Sequence, residues 1–226
     1  LYGARFYSTG ALFAHWIPSR AQDELDRTVL VFAPRHAPGV EVIDDWSGIG
    51  QRTTASGSVR FNGVAVAAED VLPVWQLAER ASLSGPVSQL IQAAIDAGIA
   101  QAAIDDTLAF VRERSRPWLD FGGARASDDP YVIQAVGRLQ IDLHAANELL
   151  REAAVTLDRV AAAPVSAESS AEASLAVAAA KILTTEIALE ASEKLFELAG
   201  TAATRSAHNL DRHWRNARTH TLHDPV

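Results

Sequence analysis

Apolar and polar residues alternate along the first third of the chain and fall at helical spacing along the rest. Residues 28–33 and 40–43 are rich in β-branched side chains and read as strands. Residues 58–66 set Val59 and Phe61 against Ser58 and Arg60, then meet Asn62-Gly63, a tight-turn signal. Pro38-Gly39, Ser47-Gly48 and Ser56-Gly57 mark further turns. The periodicity then changes. Residues 88–115 carry Leu90, Ile91, Ala94, Ile95, Gly98 and Ile99 at three- and four-residue spacing, which predicts a helix with Gly98 at a close helix contact. Residues 130–162 predict a second helix, opened by Asp128-Asp129-Pro130, acidic residues and a proline where a helix start favours them. A third covers 166–199 and is closed by Gly200, and a shorter fourth covers about 208–223.

These elements predict an α+β chain: a β domain over 1–76, followed by an all-α four-helix bundle over 77–226 with short connections. The order places any catalysis at the junction of the two regions. The chain starts on a strand without methionine, and is read as a fragment of a longer protein.

Composition narrows the function classes. With 226 residues, 48% of them apolar, the chain can bury one large core or two modest ones. Twenty Lys and Arg against 28 Asp and Glu give a net charge of −8, which argues against non-specific nucleic-acid binding. The absence of cysteine excludes disulfides, thiolate catalysis and zinc-thiolate sites. The first ten residues lack the basic and apolar regions of a signal peptide. The apolar run 175–191 is interrupted by Lys181, Thr184, Thr185, Glu186 and Glu190, which suits a bundle helix rather than a membrane span. A cytoplasmic location with no nucleic-acid or membrane partner is the expectation.

Several side chains could carry chemistry. His220 and His223, at i and i+3, share one face of the last helix. By spacing alone they suit a solvated helix end, where His complements the dipole; a metal reading needs a further ligand, with Asp224 adjacent. Ser8 and Thr9, as strand neighbours, would point to opposite faces, and Tyr7 and Trp16 suit core or interface positions. Arg112, Arg114 and Arg116, like Arg212, Arg215 and Arg218, form cationic helix ends that either complement the dipole or hold a phosphate.

Four stretches together resemble the acyl-CoA dehydrogenase superfamily: Arg5-Phe6-Tyr7-Ser8-Thr9-Gly10, read as a strand beside a flavin ring; 50–66, ending in Phe61-Asn62-Gly63-Val64-Ala65-Val66; Arg116-Pro117-Trp118 with Phe121-Gly122 and Gln134; and Leu198-Ala199-Gly200 with 211–218. The gap from Arg116 to Phe121 is longer than in the family pattern. Residues 6–16, Asp44-Asp45-Trp46-Ser47-Gly48 and 218–225 are most similar to the flavin-dependent monooxygenase branch, the group of dibenzothiophene monooxygenase and the sulfone-utilisation proteins. That resemblance implies an oxidoreductase using reduced FMN (FAD in the alternative) from a separate flavin reductase. The substrate would be a small apolar molecule, sulfur-containing compounds among the candidates. It implies that the β domain over 1–76 is a small β-barrel-like middle domain, that the protein is a homo-oligomer, dimer or tetramer, and that an N-terminal helical domain is absent from this sequence. His220 and His223 would then serve the oxygen side of the flavin and Ser8 or Thr9 the N5 side. Tyr7, Ser8, Thr9, Gly10, Arg116 and Arg218 would bind the cofactor. The competing implication is FAD-dependent acyl-CoA dehydrogenation, with Asp224 in place of the family's glutamate base, or Glu79 or Glu148 instead. A non-catalytic binding or assembly module is the third.

Overall fold

The computed structural model describes residues 1–78 and 80–223, and the chain divides into two compact units, Leu1–Arg80 and Ala81–Val226. The first unit holds six strands: β1 (Gly3–Arg5), β2 (Trp16–Gln22), β3 (Thr28–Pro34), β4 (Val40–Ile43), β5 (Ser58–Phe61) and β6 (Val71–Leu72). They form two antiparallel three-stranded sheets, ordered β1-β5-β4 and β2-β3-β6. Alternation sends Val29, Val31 and Ala33 of β3 inward, and Val59, Phe61 and Val64 pack with Ile17 and Ala11. Strand β2 carries Pro18 at its middle, which it accommodates because it lies on a sheet edge, where a missing N–H costs no ladder bond.

The segment expected as a strand over 5–10 is one only to Arg5. Tyr7 has φ 57° and Gly10 φ 77°, both left-handed, so Ser8 and Thr9 lie on a tight loop and not on opposite sheet faces. The loop is held from the segment before β5: the Ser8 N–H donates to the Gly57 carbonyl at 2.9 Å and the Gly10 N–H to the Thr54 carbonyl at 3.3 Å.

The second unit holds four helices: α1 (Ser84–Glu113), α2 (Pro130–Ala161), α3 (Ala167–Ala199) and α4 (Asp211–His220). Their ends follow local chemistry. Asp129 caps α2, accepting the Tyr131 N–H at 2.8 Å with Pro130 in the first turn. Ser166 and Ser169 form a reciprocal capping box on α3, and Gly200 ends it at φ 77°. Helix α4 is shorter than the expected 208–223: left-handed Asn209 (φ 50°) stands just before its start, and the helix ends at His220, so His223 lies beyond it.

Helix α1 packs most extensively on α3, and α2 and α4 complete the bundle. The seam is made of small residues: Ala93, Ala97, Ala100 and Ala103 from α1, Ala180, Ala188 and Ala191 from α3, all buried. Small side chains let the backbones approach closely, while fully buried Ile104, Leu139, Leu143 and Leu195 each contribute about 1.5–3 kcal/mol of burial. This reverses the expected face of α1. Ile91 and Ile95 are exposed, and a Cβ on Gly98 would meet nothing within 4 Å, so Gly98 makes no close helix contact in this unit. By length and composition α1 could cross a membrane; here its Asp96 and Thr107 are buried within the unit.

Candidate active site

The most deeply buried carboxylate among the described residues, Asp96 on α1, is 1% exposed. Thr185 on α3 donates its hydroxyl to Asp96 Oδ2 at 3.0 Å, and His220 on α4 places Nδ1 2.6 Å from Oδ1. The His220 side chain is 8% exposed. Its ring stacks on that of His223, centroids 6.2 Å apart and planes 29° from parallel. The His223 N–H donates to the His220 carbonyl at 3.0 Å, so a turn rather than a continuing helix brings the two imidazoles together. Burial depresses the His223 pKa, and the nearby His220 and Lys181 add to the effect. Lys181 is also depressed, chiefly by burial, against the opposing pull of Asp96; its ammonium donates to Gln89 Oε1. An open pocket of about 690 Å³ is lined by Gln89, Val177, Lys181, Ile182, Thr185 and Thr221 among others. The Thr221 hydroxyl is buried with no hydrogen-bond partner among the described residues.

A second carboxylate–imidazole pair links the same two helices. His213 Nε2 lies 2.7 Å from Asp106 Oδ2, and Arg212 pairs with the same oxygen. Burial pushes His213 below its ordinary value, more than Asp106 raises it. Burial raises the Asp106 carboxyl, but His213 and Arg212 together hold it lower than usual.

In the β unit, Tyr7, Ser8, Thr9 and Gly10 share the wall of a pocket of about 460 Å³ with Arg5 and Trp16. Thr9, Ser56 and Thr54 form a hydroxyl chain with spacings of 2.8 and 2.6 Å, so Thr9 is engaged internally. Ser8 is not. Its N–H donates to the Gly57 carbonyl at 2.9 Å, while its hydroxyl oxygen is buried with no partner among the described residues. Tyr7 meets Trp46 edge-on at 6.3 Å, and the Arg35 guanidinium grips the carbonyls of Ala11 and Leu12, holding the loop from behind.

The two arginines assigned to a cofactor stand on different elements. Arg116 is exposed on the segment after α1, and Arg218 is exposed on α4. Arg212 and Arg215 are engaged by Asp106 and Asp211. Glu148 is exposed and ion-paired with Arg151, whose hydrogen bond keeps the carboxyl below its usual range; Glu79 and Asp224 lie outside the described residues. Sequence reasoning missed Asp96, Lys181 and Thr185. The available signal was an acidic residue set among Ala93, Ala97 and Ala100, which share one helix face at three- and four-residue spacing.

Comparison with known proteins bears on this geometry. Residues 90–226 match the family model described as acyl-CoA dehydrogenase, C-terminal domain. Dibenzothiophene monooxygenase of Rhodococcus erythropolis is 35% identical over 240 residues, covering 100% of this chain and 58% of the relative. The probable FMNH2-dependent monooxygenase SfnC of Pseudomonas putida is 34% identical over 99% of this chain and 58% of its own length. The chain thus spans 58% of the length of these two curated relatives. The crystal structure of FMN-bound TdsC from Paenibacillus sp. A11-2 superposes with a TM-score of 0.93 at 33% identity, over 100% of this chain and 60% of that one. With a helical unit of this architecture and a family match over 90–226, the chain belongs to the acyl-CoA dehydrogenase family.

Proposed function

We propose that this chain is part of a two-component flavin monooxygenase, which takes reduced FMN from a separate reductase and uses O₂ to oxygenate a small apolar, sulfur-containing substrate. The observation that carries the proposal is similarity along the full chain to dibenzothiophene monooxygenase, to the probable FMNH2-dependent SfnC and to FMN-bound TdsC. On the same reading the β unit is barrel-like, and an N-terminal helical domain completes the protein. The location is cytoplasmic, and the protein is a homo-oligomer, dimer or tetramer. The exposed apolar stripe of Val87, Ile91 and Ile95 on α1 is consistent with a further covering surface.

The residues present fit the cofactor. The buried Ser8 hydroxyl has no partner among the described residues and can donate to the N5 or O4 edge of a flavin ring. Tyr7, Thr9 and Gly10 shape the wall beside it. Arg116 and Arg218, both exposed, are available to phosphate oxygens. Reduced FMN, when bound, supplies the two electrons that activate O₂. His223, whose pKa burial depresses, belongs on this reading to the oxygen side, with His220 stacked against it.

The test is His223→Ala in the full-length protein. Product formation should fall by about 10²–10³, as for loss of one preorganised donor, while peroxide is released and the reductase step is unchanged. Asp224→Asn should do much less. Acyl-CoA dehydrogenation makes the opposite prediction: loss of acyl-CoA turnover in Asp224→Asn and a mild His223→Ala. That result would overturn the proposal.

A further inference from the structure

A carboxylate inside an alanine-lined helix seam is costly unless its lone pairs are satisfied, and Asp96 is satisfied by two donors, one on each oxygen. The two carboxylate–imidazole pairs of this unit differ in a way that separates a clamp from a device. His213 meets Asp106 through Nε2, and Arg212 supplies the counter-charge on the same oxygen. His220 meets Asp96 through Nδ1, and among the described residues no guanidinium joins it. Lys181, the cation that acts on Asp96 through space, gives its hydrogen bond to Gln89. Asp96 and His223 face the His220 ring. Its Nε2 has no hydrogen-bond partner among the described residues.

We propose that Asp96 is a positioning residue for the oxygenation site: it holds His220 as the Nδ1–H tautomer, so that Nε2 is presented as an acceptor, and fixes the ring on which His223 stacks. Thr185 occupies the second carboxylate oxygen and so prevents the carboxylate from rotating away. The device is the one by which a buried aspartate orients a histidine in hydrolytic triads. The inference rests on the monooxygenase reading for its catalytic half, while the tautomer is a property of the protein alone.

The experiment uses full-length protein labelled with ¹⁵N-histidine and studied by magic-angle-spinning NMR without flavin. The His220 signal is identified by its loss in His220→Gln. Wild type should show a protonated Nδ1 and an unprotonated Nε2; in Asp96→Asn the side-chain amide can donate to Nδ1, and the proton should move to Nε2. With reduced FMN supplied, Asp96→Asn should lower kcat at least tenfold (the triad aspartate is worth about 10⁴) with little change in KM, and should raise the peroxide-to-product ratio. Thr185→Val, which keeps the carboxylate, should move kcat and peroxide release in the same direction by less, and serves if Asp96→Asn does not fold. A His220 that starts as Nε2–H, or keeps its tautomer in Asp96→Asn, overturns the inference whatever reaction the protein performs. A tautomer switch with unchanged kcat and peroxide release overturns its catalytic half. A wild type that performs no flavin-dependent oxygenation, with the switch intact, overturns the reaction reading instead.

Discussion

His213 and His220 stand seven residues apart on α4, two helical turns, and each is docked onto an aspartate of α1, Asp106 and Asp96 respectively. The higher-numbered histidine meets the lower-numbered aspartate, so α4 runs antiparallel to α1. The helix that carries His220 and leads into His223 is thus held at two points, through opposite ring nitrogens.

Burial of His213 makes the anchoring of α4 depend on pH. Its folded-state pKa lies below the unfolded value near 6.5, so between the two the unfolded chain binds more protons. Its contribution is complete above about pH 6.5 and is lost as pH falls through that value toward the folded pKa. Asp106, also depressed, adds a second loss below the ordinary carboxyl value near 3.8. Thermal unfolding of wild type between pH 8 and 5 should show a steeper fall in Tm below pH 6.5 than His213→Gln. Parallel slopes would remove His213 as the cause.

Gly57 supplies the carbonyl that holds Ser8, and it has no room for a side chain. A Cβ there would stand 2.3 Å from the Ile43 carbonyl oxygen and 2.9 Å from Asp45 Oδ1. Gly57→Ala should destabilise the β unit by about 1–3 kcal/mol, measured by urea unfolding, and weaken FMN binding in a fluorescence titration. Unchanged flavin affinity would separate the Ser8 loop from the cofactor.

The alanine seam between α1 and α3 leaves no volume to spare. Ala188 is fully buried in it, and Ala188→Leu should cost about 1–3 kcal/mol by overpacking, read as a lower urea midpoint at constant m-value. A neutral outcome would mean that the helices can spread without penalty.

The elements legible in the sequence were those with local causes. Asp129-Pro130 and Ser166 announce α2 and α3 because caps act within one turn, and Gly200 marks the end of α3 for the same reason. Features set by distant partners were not legible. Helix α1 was assigned its isoleucine face, whereas α3 packs on the alanine face, a choice visible only once the partner is known. Strand β2 was hidden by Pro18, which is harmless only on an edge. The segment Tyr7–Gly10 has the sequence of a strand, and its left-handed turn is held by carbonyls distant in sequence, those of Gly57 and Thr54. His220 and His223 were correctly paired in space, but for the wrong reason, since a turn rather than a shared helix face joins them.

The division of labour around α3 has an evolutionary consequence. Ala180, Thr184, Ala188 and Ala191 face the seam, whereas Ala178, Ile182 and Glu186, on the exposed side of the same helix, line the larger pocket. Substitution at these three exposed positions can alter the pocket's size and polarity one side chain at a time while the seam residues stay unchanged, whereas Val177, buried in the core, and Thr185, bonded to Asp96, line the same pocket and tie it to the packing of the helices.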